Sequence, residues 1–201
     1  VIDFPARDMT ITVEAGIRIA ELNRVLAAEN QRLPIDVPQA EQATLGGVIA
    51  TNWSGSRRFG CGTMRDYVIG ISAIDASGQR FSAGGRVVKN VAGYDLCKLL
   101  VGSRGTLAVI SQVTLKLRPQ AETSALVTLT FNSLSQIDAV LNRLLTSATR
   151  PMVLDLWLAP GSPQLIIGFE GATRETHWQI ETLLAECRAF EPRATESQVG
   201  T

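Results

Sequence analysis

The sequence predicts an α+β protein in which mixed or antiparallel sheets are flanked by helices. Short segments such as Thr10–Glu14 and Ala125–Phe131 alternate apolar and polar residues, which is typical of half-buried strands. Other segments repeat apolar residues at helical spacing, as over roughly 18–30. After about residue 120 the elements follow a β-α-β-β-α order, which favours an antiparallel sheet with helices on one face. We therefore expect two domains, over 1–120 and 121–201.

In the first domain, a helix over 18–30 follows the strand at Thr10–Glu14. The glycine-rich segment Pro38–Gly62 comes next, and the pair Gly46-Gly47 within it is typical of a tight turn. A hairpin, a helix over 94–101 and a long strand at Leu107–Leu117 complete the region. We expect the hairpin to join Tyr67–Asp75 to Gln79–Ser82 through Ser77-Gly78, and Leu96, Leu99 and Leu100 to face the core.

In the second domain, Ser133 and Gln136 have the spacing of a capping box and so mark the start of a helix. Two strands and a last helix follow, and we expect Trp157 and Trp178 to lie in the core between them. Residues 191–201 are expected to form a tail that does not complete the unit.

Composition excludes several classes of protein. Lys plus Arg and Asp plus Glu both total 19, so the net charge of zero provides no basic surface for nucleic acid or an anionic membrane. Three separated cysteines and a single histidine predict neither a disulfide framework nor a metal site, and they favour a reducing, cytoplasmic location. No apolar run is long enough to span a membrane.

The glycine-rich segments are the strongest candidates for a binding site. A Gly-Gly pair lets the backbone approach a flat ring or a pyrophosphate without a Cβ in the way. Arg57, Arg58 and Arg65 either pair with phosphate or act as ordinary surface charges, with an Arg65–Asp66 pair as one alternative. Neither a Rossmann G-x-G-x-x-G nor a Walker loop is present. Cys61 is expected to be a buried thiol and His177 a surface residue.

The order and spacing of these clusters resemble the vanillyl-alcohol-oxidase, or PCMH-type, FAD-binding family, and the Lys89–Asp95 string in particular is similar to the FAD-binding subunits of glycolate oxidases. The matching clusters are Leu45-Gly46-Gly47, Ser54-Gly55-x-Arg57-Arg58, Met64-Arg65-Asp66, Lys89-Asn90-Val91-Ala92-Gly93-Tyr94-Asp95 and Gly102-Ser103-x-Gly105-Thr106-Leu107. The resemblance implies a PCMH-type FAD-binding subdomain over 1–120, followed by part of a ferredoxin-like α+β cap domain.

The resemblance also implies which residues line the cofactor FAD. These are Pro38, Ala43, Thr44, Leu45, Gly46, Gly47, Thr51, Asn52, Ser54, Gly55, Gly102, Gly105, Val109 and Ile110. We expect backbone amides near 46–47 and 102–105 to converge on the dinucleotide. No catalytic residue is assigned and no metal is expected.

The implied function is FAD-mediated oxidation of a small 2-hydroxy acid, glycolate to glyoxylate, with electron relay to a second flavin subunit and an iron–sulfur subunit. The family's first FAD subdomain is expected to lie before Val1, so residues 1–201 alone should bind FAD weakly. Two alternatives stay open at this point. The chain could be a flavin-free assembly subunit, or another flavoenzyme of the same fold such as the reductase of cell-wall amino-sugar synthesis.

Overall fold

A computed structural model describes residues 1–85, 94–158 and 161–199. The stretch Lys89–Gly93 of the family-like string lies outside these residues. The chain forms two compact units, one comprising Val1–Gly55 with Gly62–Gln120 and the other Ser56–Cys61 with Ala121–Thr201. None of the helices in the described ranges has the length and apolar character needed to cross a membrane.

The first unit is built on a four-stranded antiparallel sheet with strand order β1-β5-β3-β4. A short ladder of β2 and β6 lies apart from it. The strands are β1 (Thr10–Glu14), β2 (Gln31–Arg32), β3 (Val68–Asp75), β4 (Arg80–Gly84), β5 (Ala108–Lys116) and β6 (Arg118–Pro119). The strands expected at Thr10–Glu14 and Leu107–Leu117 and the expected hairpin are confirmed within one or two residues.

Four helices pack with this sheet: α1 (Ile19–Ala27), α2 (Leu45–Thr51), α4 (Met64–Tyr67) and α5 (Leu96–Leu100). The core they share is apolar, and Ile11, Leu22, Leu45, Met64 and Leu115 are fully buried in it. At about 25 cal/mol per Å² of apolar surface removed from water, burial of these side chains is the main stabilising contribution.

Two local expectations for this unit were wrong. Gly46-Gly47 does not form a turn but lies in the first turn of α2, because the Thr44 side chain caps that helix by accepting a hydrogen bond from Gly47 N. Leu99 faces solvent, since Cys97 and Leu100 supply the buried side of the short α5. Asp75 Oδ1 accepts hydrogen bonds from the backbone amides of Ser77 and Gln79 and so fixes the β3–β4 turn.

The second unit is a four-stranded antiparallel sheet with strand order β10-β7-β9-β8. Two helices, α6 (Leu134–Leu144) and α7 (Thr173–Cys187), pack with it. The strands are β7 (Thr123–Thr130), β8 (Val153–Leu158), β9 (Pro163–Gly171) and β10 (Arg193–Val199). The chain order β-α-β-β-α-β in this sheet is the ferredoxin-like arrangement.

The expectation that 191–201 is a tail was wrong, because β10 pairs with β7 from Arg193↔Thr130 to Val199↔Ser124. This strand has few apolar residues and lies at the edge of the sheet, so backbone pairing rather than a hydrophobic pattern defines it. The core position expected for Trp157 and Trp178 was also wrong, since the two side chains are 59% and 48% exposed. Trp157 lies on the edge strand β8, and the buried side of α7 carries Thr176, Gln179, Ile180 and Leu183 instead.

A short segment from the middle of the chain belongs to this second unit. It comprises Ser56–Cys61 and contains the helix α3 (Arg58–Cys61). Arg57 Nε lies 2.6 Å from Oε1 of the buried Glu170, and Gly60 N donates to Met152 O at 3.1 Å. A Cβ at Gly60 would lie 2.6 Å from Met152 Cα, so only glycine permits this approach. Cys61 is buried here, as expected from the sequence.

Candidate functional site

The N-terminal end of α2 is held by hydrogen bonds to the protein itself. Gly46 N donates to Ala15 O at 2.8 Å, and Leu45 N donates to Ile17 O at 2.9 Å. Gly47 N donates to Thr44 Oγ1 at 3.3 Å. These amides were expected to point at a ligand, but a helix start leaves its first N–H groups without intrahelical partners and here protein oxygens satisfy them.

The C-terminal end of α2 is held by the loop at 102–106. Gly102 N donates to Ile49 O at 2.9 Å and Arg104 N donates to Ala50 O at 2.7 Å. These bonds satisfy carbonyls that the end of a helix leaves unpaired. The Gly102 amide was also expected to donate to a ligand, but it donates to Ile49 O within the protein instead.

The two glycine-rich stretches nevertheless border the same helix. Ala15, which accepts from Gly46 N, itself donates to Ser111 O at 2.8 Å. The start of α2 is thus linked through Ala15 to Ser111, and its end is linked directly to Gly102. Segment 102–111 consequently runs along α2 in the opposite direction. We call residues 44–55 and 102–110 the α2 surface.

Only some glycines of the α2 surface are open to a ligand. A Cβ at Gly46 would lie 3.0 Å from Ala15 Cβ, and one at Gly55 would lie 2.5 Å from Asp36 Cβ, so these two positions need glycine for packing within the protein. Gly47, Gly102 and Gly105 are exposed instead. A Cβ at Gly105, where φ is +74°, would meet no atom within 4 Å.

Asn52 is the polar side chain of this surface that fits a bound group best. Asn52 ends α2 in the left-handed conformation. A Cβ at Gly102 would lie 3.5 Å from the Cβ of Asn52. Its Oδ1 atom is buried and has no hydrogen-bond partner among the described residues. Because a buried polar atom without a partner is costly, Oδ1 is suited to accept a donor from a ligand. The Thr51 hydroxyl, in contrast, donates a hydrogen bond of 2.9 Å to Gly47 O.

The start of β5 offers backbone groups at a sheet edge. Residues Ala108–Ile110 pair with β3, whereas β1 pairs only with Gln112–Lys116. On the β1 side, Ala108–Ile110 therefore have no strand partner in the described part of the chain. An open strand edge presents unpaired N–H and C=O groups. Val109 is 68% exposed beside this edge.

The other residues expected to line FAD lie before and after α2. Ala43 O accepts from Ile19 N at 2.9 Å, which ties the segment before α2 to the start of α1. Pro38 is exposed in the loop preceding that contact, and no described hydrogen bond joins it to α2. Ser54 is half-buried, and the contact of Gly55 with Asp36 brings the end of the loop beside the segment that leads to Pro38.

Two of the three arginines considered as phosphate ligands, Arg57 and Arg65, have other contacts. Arg57 pairs with Glu170, and Arg65 Nη1 donates to Lys98 O at 2.8 Å. The alternative pair with Asp66 is not observed for Arg65, because Asp66 Oδ2 accepts from Thr63 N at 2.8 Å in a capping box. Hydrogen bonding from the Thr63 backbone, aided by the charges of Lys98 and Lys116, lowers the pKa of Asp66 despite partial desolvation.

Sequence reasoning missed one residue of the α2 surface. Arg104 adopts a left-handed φ of 54° between Ser103 and Gly105, and it is the charged residue of the surface. Its position within a glycine string was the signal for an unusual backbone. Trp53, next to Asn52, is 49% exposed. The α2 surface contains no His, Cys, Asp or Glu, so it offers binding contacts but no side chain for proton transfer.

Comparison with known proteins places the first part of the chain in a family. Residues 1–84 match the model of the FAD binding domain family. The chain is 36% identical over 125 residues to glycolate oxidase subunit GlcE of Escherichia coli (strain K12), covering 62% of this chain and 36% of that protein. It is 42% identical over 117 residues to D-lactate dehydrogenase of Archaeoglobus fulgidus, covering 58% of this chain and 26% of that protein.

A further relative and a solved structure extend the match along the chain. Glycolate oxidase subunit GlcD of Bacillus subtilis (strain 168) is 30% identical over 155 residues, covering 77% of this chain and 33% of that protein. An alkyldihydroxyacetonephosphate synthase structure has the same fold, with a TM-score of 0.79 at 19% identity over 98% of this chain and 42% of that one.

The chain thus spans between 26% and 36% of the length of these three curated relatives. It combines a mixed helix and antiparallel-sheet architecture with the family's glycine-rich segments. Residues 1–84 belong to the FAD binding domain family, and the chain is similar to FAD-linked oxidoreductases over most of its length.

Proposed function

We propose that the chain is part of the FAD-binding subunit of a 2-hydroxy-acid dehydrogenase complex, in which the α2 surface lines the cofactor. The chemistry that bound FAD would supply is acceptance of a hydride from the hydroxyl-bearing carbon of the substrate. The protein would position the cofactor and contribute backbone dipoles. The proposed reaction is oxidation of glycolate to glyoxylate with onward electron relay.

The observation that carries the proposal is the pair of hydrogen-bonded links at the two ends of α2. Through Ala15 at one end and Gly102 at the other, they bring segments 44–55 and 102–110 to one helix. A dinucleotide is long, so an extended surface with small, exposed residues along it suits such a ligand. The unsatisfied Asn52 Oδ1 adds a specific polar contact.

Within this set we assign two roles. Gly47, Asn52, Gly102, Gly105 and the open edge at Val109-Ile110 face the cofactor. Leu45, Gly46 and Gly55 are buried or closely packed and hold α2 and its following loop in place. Pro38, Ala43, Thr44, Thr51 and Ser54 complete the proposed lining at the two ends of the helix.

The substrate and the partners are part of the proposal. The similarity to glycolate oxidase subunits favours glycolate, and the similarity to a D-lactate dehydrogenase makes D-lactate the second candidate. A second flavin subunit and an iron–sulfur subunit are the proposed companions, in the cytoplasm. The flavin-free scaffold is the competing assignment.

Absorbance and turnover of the intact protein test this proposal. We expect a flavin absorbance spectrum, and reduction of an artificial dye by glycolate or D-lactate in the presence of the companion subunits. A protein that stays colourless after addition of FAD would support the scaffold instead. A yellow protein that oxidises neither acid would retain the cofactor assignment and reject the substrate class.

A further inference from the structure

The strand β8 lies at an edge of the sheet in the second unit, and its C-terminal half is apolar and exposed. It pairs with β9 on one side, and no other strand within residues 1–85, 94–158 and 161–199 pairs with it. Leu156, Trp157 and Leu158 are 49%, 59% and 63% exposed. We call Leu154–Leu158 the β8 edge. It lies outside the α2 surface, and the proposed function does not involve it.

The two edges of this sheet differ in how they are protected. Native edge strands usually contain charged residues or proline, which oppose pairing with another chain. The strand β10, at the opposite edge, begins with the exposed Arg193 and is mostly polar. The last three residues of β8 include neither a charge nor a proline. The unpaired N–H and C=O groups of such an edge are best satisfied by an extended strand.

The leucines of the β8 edge extend the apolar face of the sheet. Leu154 and Leu156 lie opposite Ile167 and Leu165 of β9, which are buried in the core shared with α6 and α7. Leu158 lies on the same face, because side chains two positions apart in a strand point the same way. The apolar face therefore continues from the core to exposed leucines at the edge.

A second copy of the same strand fits this edge in one register. In a twofold antiparallel pair, one central residue faces itself, and residues at equal distances before and after it face each other. With Leu156 at the centre, Leu154 faces Leu158 of the second copy on the apolar face. On the other face, Asp155 faces Trp157 of the second copy, whose indole N–H is a hydrogen-bond donor.

The neighbouring registers are less favourable. A pair centred on Asp155 places two carboxylates opposite each other, and like charges directly opposite are destabilising. Pairs centred on Leu154 or Trp157 extend beyond one end of β8, which spans Val153–Leu158. A slip by one residue places the apolar face of one copy beside the polar face of the other. The strand is therefore complementary to itself about Leu156.

We propose that the β8 edge is the interface between two copies of this chain, paired antiparallel about Leu156. The pairing joins the two four-stranded sheets of the second units into one continuous sheet. It removes Leu156 and Leu158 from water against leucines of the second copy and satisfies the backbone groups of the open edge. The interface does not depend on FAD, because the β8 edge belongs to the second unit.

Sedimentation velocity of the intact protein tests the interface. We expect a dimer at micromolar concentration, and Leu156→Lys should raise its dissociation constant at least about tenfold, because lysine on an edge strand opposes pairing. The matched control is Leu145→Lys, which changes a leucine that is 83% exposed at the end of α6 and should leave the dimer unchanged. A monomeric unaltered protein, in which another part of the intact chain covers the edge, would overturn the interface. So would a dimer that Leu156→Lys leaves intact.

Disulfide crosslinking tests the register. Under mild oxidation Leu156→Cys should crosslink two copies, because residues directly opposite in a sheet have Cβ atoms about 5 Å apart. Leu158→Cys is the control, since its two copies would lie about 14 Å apart along the strands, beyond the reach of a disulfide. The three native cysteines are buried, so oxidation reports on the introduced one. Crosslinking of Leu158→Cys in place of Leu156→Cys would contradict the proposed pairing.

Discussion

At the scale of single residues, the glycines of the α2 surface serve different purposes. Gly46 and Gly55 are required because neighbouring protein atoms occupy the space of a Cβ. Gly102 and Gly105 are required because φ is +83° and +74°, in the left-handed region that costs other residues energy. The amides of Gly46, Gly47 and Gly102 bond to oxygens of the protein, so the expectation that all of these glycines expose amides to a ligand was wrong.

Gly102→Ala should lower both stability and FAD content. The left-handed backbone costs an alanine about 1 kcal/mol, and the added methyl group faces Asn52 on the α2 surface. The matched control is Gly78→Ala, because Gly78 has φ +82° in the β3–β4 turn with open space around it. Urea denaturation and the flavin-to-protein ratio should show equal losses of stability in both variants and loss of flavin only at Gly102.

Equal flavin content in the two alanine variants would contradict the role of Gly102 in cofactor binding. A loss of flavin in both would indicate that reduced stability, rather than a local contact, controls FAD binding.

Asp66→Asn should destabilise the protein at neutral pH and have little effect in acid. The folded-state pKa of Asp66 is lowered, so its charge stabilises the fold above the ordinary aspartate pKa of about 4, and this contribution is lost as pH falls through the lowered value. The measurement is the difference in urea midpoint between variant and unaltered protein at pH 7 and below pH 3. A difference that is constant with pH would show that the capping charge is not responsible.

At the scale of elements, the sequence was informative where a hydrophobic pattern was long and regular. The alternation in Thr10–Glu14 and the helical spacing from Ile19 to Leu26 predicted β1 and α1 because each element buries one face. The pattern failed for β10, whose Arg193–Val199 sequence is mostly polar and is defined by pairing with β7. It also failed for α2, since Thr44 capping overrides the weak helix propensity of Gly46-Gly47.

The candidate site was predictable as a set of segments but not as a geometry. Glycine strings indicated where the backbone departs from regular structure. They could not indicate that Gly102 N bonds to Ile49 O, because that contact joins residues 53 positions apart in the chain.

The attachment of Ser56–Cys61 to the second unit depends on the Arg57–Glu170 pair. Glu170→Gln should destabilise the second unit by about 2 kcal/mol, because the buried carboxylate accepts a charge-assisted hydrogen bond of 2.6 Å from Arg57. The control is Glu186→Gln, whose pair with the more exposed Arg143 at 3.2 Å should contribute less than about 1 kcal/mol. Urea denaturation followed by tryptophan fluorescence measures both, and equal losses would contradict a special role for the Arg57–Glu170 pair.

At the scale of the whole molecule, the two units differ in how far they bear on function. The first contains most of the family match at 1–84, together with the α2 surface. The second is a ferredoxin-like sheet with two helices. A shared fold at 19% identity does not assign a substrate to this unit. Substrate and electron acceptor are therefore questions for the assembled protein.

The central claim is that FAD lies along the α2 surface. A crystal structure of the intact protein with FAD bound tests it most directly. The account predicts density running along α2, with a donor atom of the cofactor within hydrogen-bond distance of Asn52 Oδ1 and contacts to Gly102 and Gly105. FAD bound in the same protein without contact to residues 44–55 or 102–110 would contradict it.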